Sequence, residues 1–464
     1  MSALATALVR LGDEVTGADR TLGTPNVRFL ESLGVKVFPD DGSGVDAATD
    51  EVIVSTAIEE TNAGLAKAKA LGIPVTHRAK ALSRTLSGYR LVAVVGTCGK
   101  STVTAMLGHV LAECGLDPMC VNGANVPGWE GAVRFGKGQY AVAEVDESDK
   151  SLVAFSPYAA IVTNASADHY SKEEMDEVFD AFVKDCEGPV VDGRTEVEKL
   201  KVEKLKGSVP IPGRHNLQNA ALAVLMAKQL GVDEDAAIEA MRSFRGVERR
   251  LQRYGEKVYD DYAHNPEKLK AMWTTLAEKH PEGICVIWRP HGYAPLRKMM
   301  GALAAMFRET VRACDQLLLL PVYDAGGTTD RSVNSGDLAA AIRVGRVDRV
   351  DRVFRVDRVD RGDGVDRGDR VDRVDGVDGV DRGDRGDRVD GVDGVDRDLS
   401  DSKDPKDAKD PNDPNGVQMV ELVADLDAAY DWCAAHRGEY GAFVTCGARD
   451  PGLPGLAKRL SEMA

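Results

Sequence analysis

The sequence predicts an α/β protein of three blocks, and three observations carry that prediction. Strand-like and helix-like segments alternate along nearly the whole chain, the pattern of parallel sheets covered by helices. A compact apolar run, Leu91–Val95, leads straight into the glycine-rich segment Gly96–Thr102 and then into a helical pattern. A tract with a three-residue repeat interrupts the last block. For 464 residues, roughly 100–200 residues per domain allow two to four domains. The expected blocks are 1–88, 89–245 and 246–464.

The first block opens with a helix at Ala3–Leu11, a strand at Glu14–Ala18 and a helix at Asn26–Leu33. Strands at Val35–Phe38 and Glu51–Ser55, a helix at Asn62–Leu71 and a short strand at Ile73–Thr76 complete it. Strands spaced by helices imply a parallel sheet. The second block has buried strands at Leu91–Val95, Tyr140–Val145 and Ala159–Val162, each a short unbroken apolar run. Its helices are predicted at Lys100–Cys114, Asn216–Gln229 and Glu234–Ser243, while Gly188–Ser208 is charged and shows no clear strand. The third block carries strands at Lys257–Asp260, Ile284–Trp288, Gln316–Leu320, Met419–Leu422 and Ala442–Thr445 with helices between them, a second doubly wound sheet.

From about Val344 to Gly416 the chain repeats Val/Gly-Asp-Arg/Gly. A period of three matches neither helix nor strand burial. Almost free of large apolar side chains, the tract cannot offset its ordering entropy and is expected to be a disordered insert. Its aspartates suggest calcium, but the interleaved arginines oppose a cation.

Hydrophobic residues make up 43% of the chain, enough for more than one core. With 59 basic and 75 acidic residues the net charge is −16, which argues against a nucleic-acid partner. The eight cysteines form no C-x-x-C pair and no zinc-finger spacing, and read as thiols of a reducing compartment. No run of about 18 apolar residues exists, so no membrane span is expected. The first residues reach Asp13 and Glu14 too soon for a signal peptide. A cytoplasmic protein is the expectation.

The segment "VAVVGTCGKST" carries the strongest chemical signal. Glycines after a strand let backbone amides approach phosphate oxygens, and the next helix adds its free N–H groups. Lys100 suits β/γ-phosphate charge and Ser101 suits Mg²⁺. Val94 stands where the strict pattern G-x-x-x-x-G-K-[ST] wants glycine, so the loop is a shortened variant; a simple glycine turn is the plain alternative. "AEVDESDKS", from Glu144, ends an apolar strand and offers carboxylates for Mg²⁺ held through phosphates, or is a solvated acidic turn. "IVTNASADHY" sets Asn164, Asp168 and His169 after another strand, with His169 a candidate metal ligand or a structural histidine. Three such motifs at the carboxyl ends of parallel strands favour a ligand site.

"IPGRHNLQNAALAV" places His215, Asn216 and Asn219 at a helix start, where the amides could meet a base edge or Asn216 could cap the helix. "GVERRLQRYG" sets Arg249 and Arg250 between the second and third blocks, suited to a transferring γ-phosphate or to an exposed basic pair. "YDDYAHNPEKL" offers Asp261 for a ribose hydroxyl and His264 for a substrate. "WRPHGYAPLRKM" offers His291, Tyr293 and Arg297 for a carboxylate.

Taken together these motifs resemble the Mur ligase family. The resemblance runs through nearly the whole chain outside the repeat tract. The loop is similar to the family's G-T-[HN]-G-K-[ST]-T, with Cys98 at the variable place, and "EVDESD", "TN…DH", "IPGRHNLQNA", "GVERR" and "DDYAHNP" follow in family order. "EVDESD", "RPHGYAP", "VIVSTAI" and "GIPVTHRA" look most like the branch that includes UDP-N-acetylmuramate–L-alanine ligase. The resemblance implies a Rossmann-like UDP-sugar domain, a central P-loop ATPase and a Rossmann-like C-terminal ligase domain. It implies ATP-driven phosphorylation of the UDP-N-acetylmuramate carboxylate and attack on the acyl phosphate by an amino acid or peptide amine. Gly96, Thr97, Cys98, Gly99, Lys100, Ser101 and Thr102 would then hold ATP, with Asn216 and Asn219 at the adenine and Asp261 at the ribose. Ser101, Glu144 and His169 would hold Mg²⁺, Arg250 would approach the γ-phosphate, and His264 would be catalytic. Asn125, His291 and Arg297 would face the substrates. Some branches modify a lysine where Phe182 stands, so that modification is not expected.

Four departures qualify the resemblance. The family's first strand and Gly-rich turn would precede "MSALA", so either a central strand and part of the UDP pocket are missing or the true start lies upstream of Met1. Gly188–Ser208 is shorter than the family's segment. The family's F-Q-P-H-R-Y-S-R has arginines where Gly292 and Pro295 stand, which opens the choice of amine; Arg297 is the expected substitute. The repeat tract interrupts the last block. L-alanine is the expected amine, a recycled tripeptide the alternative. An inactive family-like binding protein and a plain P-loop kinase or NTPase are the readings from other classes.

Overall fold

A computed structural model describes residues 1–147, 151–165, 172–196, 202–324, 329–353 and 419–463. The fold and the site lie in the unit made of Met1–Arg346 and Gln418–Ala464; a second unit, Val347–Val417, covers the repeat tract. The helix Ser335–Val353 runs on past Val344, into the start of the tract. The rest of the expected disordered insert lies outside the described residues.

The first block contains β1 (Thr16–Asp19), β2 (Lys36–Pro39), β3 (Val52–Val54) and β4 (Val75–His77). The expected parallel pairing is present, in two separate ladders, β1 with β2 and β3 with β4. Joining them takes a strand hydrogen-bonded to both, and no described segment holds that place. Val52, Ile53 and Val54 accordingly stay half-buried. The helix Arg78–Thr85, unread in the sequence, follows β4.

The middle block contains β5 (Arg90–Val95), β6 (Met119–Val121), β7 (Val133–Arg134), β8 (Tyr140–Glu144), β9 (Ala159–Val162) and β10 (Val190–Asp192). They form one sheet in the order β10-β9-β5-β8-β6-β7, parallel except for β7. Val92 to Val95 of β5 and all of β9 are fully buried, as apolar runs sandwiched between helices must be. β10 corrects the expectation that Gly188–Ser208 lacks strands. The helix Lys100–Glu113 packs between this sheet and the helix Arg214–Gln229, with Val103, Met106, Leu107, Val110 and Leu111 all buried.

The last block contains β11 (Gln252–Tyr254), β12 (Val258–Asp261), β13 (Ile284–Trp288), β14 (Gln316–Leu319), β15 (Val420–Leu422) and β16 (Ala442–Cys446). Their order is β11-β12-β16-β13-β14-β15, parallel except for β11. Trp273, Trp288 and Phe307 meet edge-to-face on one side of this sheet. No helix among the described residues is long and apolar enough to cross a membrane.

Candidate active site

The sheet order β9-β5-β8 brings three sequence motifs to one edge. The glycine loop leaves the carboxyl end of β5, the acidic segment that of β8, and Thr163-Asn164 that of β9. Such an edge is where ligands bind in open parallel sheets.

The loop's shape is dictated by contacts that leave no room for side chains. Gly96 takes φ +128°, and a Cβ there would come within 2.1 Å of Thr163 Oγ1. Gly99 takes φ +86°, and its Cβ would sit 2.6 Å from Asn219 Oδ1. Asn164 binds the loop between them. Its Oδ1 accepts from Thr97 Oγ1 at 2.7 Å and from Cys98 N at 3.0 Å, and its Nδ2 donates to the Cys98 carbonyl at 2.8 Å. Thr163 Oγ1 donates to the same carbonyl at 2.6 Å. Lys100 opens the helix, with Ser101 and Thr102 buried behind it.

Lys100 Nζ donates to the Gly96 carbonyl and to Glu147 Oε2, both at 2.6 Å. The ion pair is buried, with Glu147 only 4% exposed. Burial pulls the Lys100 ammonium down, but the carboxylates of Glu147 and Glu144 outweigh it and hold its pKa above the ordinary value. Burial pushes the Glu147 carboxyl up against the pull of Lys100. Glu147 was not singled out in the sequence, although it stands inside the acidic motif. Glu144 instead accepts from Gly123 N at 2.8 Å. Asp168 and His169 lie outside the described residues.

Ser101, Glu144 and Glu147 present only oxygen donors, the set that Mg²⁺ takes alongside phosphate oxygens and water. No group of three or more His, Cys, Asp and Glu that could hold a metal exists among the described residues. An incomplete protein shell of this kind fits a metal brought in with a nucleotide.

Asn216 does not cap its helix: Gly213 holds the cap position, and Asn216 Nδ2 donates to the Pro212 carbonyl at 2.6 Å. Asn219 Nδ2 donates to Asn216 Oδ1 at 3.4 Å, so the two amides form one buried group against Gly99. Phe182 packs in the apolar cluster around β9.

At the joint with the last block, Asn125 Nδ2 donates to Glu248 Oε2 at 3.0 Å. Arg249 is not an exposed basic residue: it pairs with the fully buried Asp260. Burial pushes the Asp260 carboxyl up to about 6 against that arginine. Arg250 lies over the Tyr262 ring, 5.0 Å from its centroid. Asp261 accepts from Leu251 N at 2.7 Å and Ala263 N at 2.8 Å. A ribose hydroxyl there has to share a carboxylate whose two oxygens already hold backbone.

The rings of His264 and His291, from the ends of β12 and β13, meet edge-on at 4.8 Å. Arg297 turns toward the loop after β14, pairing with Asp330 Oδ2 at 2.7 Å and donating to the Asp330 carbonyl. Arg331 covers Tyr293 at 5.8 Å and pairs with Asp324. Arg289, passed over in the sequence, pairs with Asp450 at 2.6 Å, and its buried Nε has no partner. A recess of about 280 Å³ in the first block is lined by Arg20, Asp40, Glu59, Thr61, Asn62 and Ala63.

Two family models match the chain: "Mur ligase family, catalytic domain" over residues 1–90 and "Mur ligase, glutamate ligase domain" over residues 249–366. The UDP-N-acetylmuramate–L-alanine ligase of Synechococcus sp. is 32% identical over 387 residues, 74% of this chain and 80% of that protein. The Rubrobacter xylanophilus protein of the same name is 35% identical over 376 residues, 70% and 82% of the two chains. Among solved structures, the UDP-N-acetylmuramate–alanine ligase of Thermotoga maritima shares the fold with a TM-score of 0.70 at 21% identity, covering all of this chain and 96% of that one. A murein peptide ligase from Psychrobacter arcticus gives a TM-score of 0.56 at 16% identity over the same shares. A glycine loop locked to its neighbouring strands, and relatives above 30% identity across four-fifths of their length, lead to one conclusion: this chain belongs to the Mur ligase family.

Proposed function

We propose that this chain is an ATP-dependent, ADP-forming ligase that joins L-alanine to UDP-N-acetylmuramate in peptidoglycan precursor synthesis. The observation that carries the reading is the single edge of β9, β5 and β8, where the glycine loop, Lys100 and two carboxylates converge. The curated relatives, all named for this ligation, support the choice of substrates.

In the first step a carboxylate oxygen of the sugar attacks the γ-phosphorus and ADP leaves. In the second the free amine attacks the acyl carbon, phosphate leaves, and the amine's proton passes to a base. Neither step needs a protein nucleophile; both need positioning and charge neutralisation. Loop amides and Lys100 would cradle the phosphates, Lys100 exchanging Glu147 for a phosphate oxygen. Ser101 and Glu147, with Glu144 and His169 as further candidates, would hold Mg²⁺, which supplies Lewis-acid polarisation of the phosphates. Asn216 and Asn219 would border the adenine, Asp261 the ribose, and Arg250 the γ-phosphate. His264 or His291, at the ends of β12 and β13, is placed to take the amine proton. Asn125 would border the sugar, and the first-block recess would take part of the UDP. Residues 1–88, 89–245 and 246–464 would serve as sugar, ATP and ligase domains. Such chemistry belongs in the cytoplasm, where ATP is available.

A second amine class, a short peptide, is favoured by Gly292 and Pro295, which carry no charge of their own at the start of the helix Tyr293–Thr310, and by Arg297, which is tied to Asp330. The test is ADP release with UDP-N-acetylmuramate, Mg²⁺ and a panel of amines. Release that depends on L-alanine is expected; release that depends only on a peptide selects the second class. No amine-dependent ADP sinks the ligase reading.

A further inference from the structure

We propose that Arg249 is a positioning residue: it fixes Arg250 to the last block and so sets the guanidinium meant for the transferring phosphate. The inference rests on the ligase reading only for what that phosphate does next.

The chain passes from the middle block to the last through Val247–Leu251, and the hydrogen bonds change sides within it. Glu248 is tied to the middle block, its N–H donating to the Asn125 carbonyl at 2.9 Å and its carboxylate accepting from Asn125 Nδ2 at 3.0 Å. The next residue is tied to the last block. Arg249 Nε donates to Asp260 Oδ2 at 3.0 Å, Nη1 to the Ala448 carbonyl at 3.2 Å, and Nη2 to the Gly447 carbonyl. Its N–H donates to Gln252 Oε1 at 2.9 Å and its carbonyl accepts from Tyr262 N at 2.7 Å. The side-chain contacts change sides across one peptide bond.

The backbone shows what this grip holds in place. Arg249 has φ +59° and Leu251 φ +47°, in the left-handed region that residues with a Cβ enter at a cost. Such conformations persist where the surroundings over-determine them. Here the Arg249 fork fixes one, and the Leu251 N–H bond to Asp261 Oδ2 at 2.7 Å fixes the other. Arg250 lies between them, its N–H donating to the Val247 carbonyl at 3.2 Å. Its guanidinium and that of Arg249 share the Tyr262 ring, at 5.0 and 5.3 Å from the centroid. The Arg250 side chain is thus held on the last block, while its N–H keeps one bond to the middle one.

The carbonyls that Arg249 holds begin the loop after β16. The far side of that loop, Asp450, is held by Arg289, two residues before His291. Phosphate-side and amine-side groups thus hang from one clamp.

Two variants separate fork from backbone: Arg249→Gly removes the fork and still accepts a left-handed φ, and Arg249→Lys keeps the charge without the fork. Arg249→Gly is expected to lower kcat about 100-fold, the scale of a 1 Å misplacement, with KM for ATP and amine within about threefold. Arg249→Lys should recover less than about a tenth of the lost rate. Because Arg249 acts through Arg250, Arg249→Gly combined with Arg250→Ala should be no slower than Arg250→Ala alone. Losses that multiply, or wild-type kcat in Arg249→Gly, overturn the proposal.

A binding measurement needs no ligation. The ratio of ATP to ADP affinity should fall to the same extent in Arg249→Gly, Arg250→Ala and the double variant. A ratio that falls in Arg250→Ala and stays at wild type in Arg249→Gly overturns the proposal, even for a chain that ligates nothing. So does an Arg250→Ala protein with unchanged rate and ratio. Should Arg249→Gly fail to fold, Asp260→Asn removes the charge that Arg249 Nε faces, changes the acceptor of the Thr445 hydroxyl as well, and carries the same comparisons.

Discussion

Lys100 and Glu147 sit face to face in a nearly dry place, and each depends on the other. Removing the lysine leaves a buried carboxylate with no counter-charge, which costs about 3–5 kcal/mol when a buried pair is broken unless the acid takes up a proton. Lys100→Ala is expected to cut amine-dependent ADP release about 10²–10³-fold, the cost of losing one preorganised charge. It should also make stability pH-dependent in a definite sense. Glu147 is held above its ordinary range by burial, so in the variant the folded state binds its proton more tightly than the unfolded one. That contribution is present at low pH and lost as pH rises through the folded-state pKa. The melting deficit of Lys100→Ala should therefore be smaller at pH 5 than at pH 8; a deficit independent of pH refutes the pairing as described. The same sign applies to Asp260, raised from 3.8 to about 6: stability falls as pH rises across that window. Asp260→Asn should flatten this stretch of the stability–pH curve. Glu144 and Glu147 look alike in "EVDESD". Past the end of β8 no strand periodicity assigns a side chain to a face, and only the fold reveals which acid turns toward Lys100. Arg289 and Arg297 pose the same problem: nothing local tells that the second is drawn off by Asp330.

The phosphate loop was legible as an element because its glycines, lysine and flanking apolar run are contiguous. What locks it was not legible, since Asn164 and Asn219 reach it from other strands and helices. Asn164→Ala removes three hydrogen bonds from the loop. At about 0.5–1.5 kcal/mol net each, it should raise KM for ATP by tenfold or more while leaving KM for the amine near wild type. Gly96→Ala drives a methyl into Thr163 Oγ1 and backbone, and should abolish ATP binding. Gly455→Ala, which meets nothing within 4 Å, should be silent in the same calorimetric titration. Strands that were fully buried runs, such as β5, β9 and β13, were readable from sequence; β6 and β10, three residues each, were not. Their neighbours in the sheet rather than propensity make these two segments strands.

Across the whole molecule, alternation of strand and helix conveyed the two large parallel sheets, because that pattern leaves few other ways to bury both faces. The insertion point of the repeat tract was legible too. Its consequence is testable, since Arg343 Nη2 donates to the Val420 carbonyl at 2.8 Å and so brings the chain on the two sides of the tract into contact. Replacing residues 354–418 with a short Gly/Ser linker should leave ADP release within about twofold, loop length being a weak determinant of stability. Collapse of activity would give the tract a working part in the enzyme. Within the first block parallel pairing was legible but its division into two ladders was not, because periodicity reports strands and not which strands meet.

Those two separate ladders bear on how the protein behaves in a test tube. An unpaired strand edge is a template for another chain, and among the described residues β1 and β3 are each paired on one side only, with the half-covered valines of β3 alongside. At high concentration, self-association should begin in this block. Turbidity should rise on warming before the tryptophans of the last block report any melting. A charged residue at the β3 edge, Val52→Lys for instance, should delay that clouding while leaving the catalytic blocks as they are.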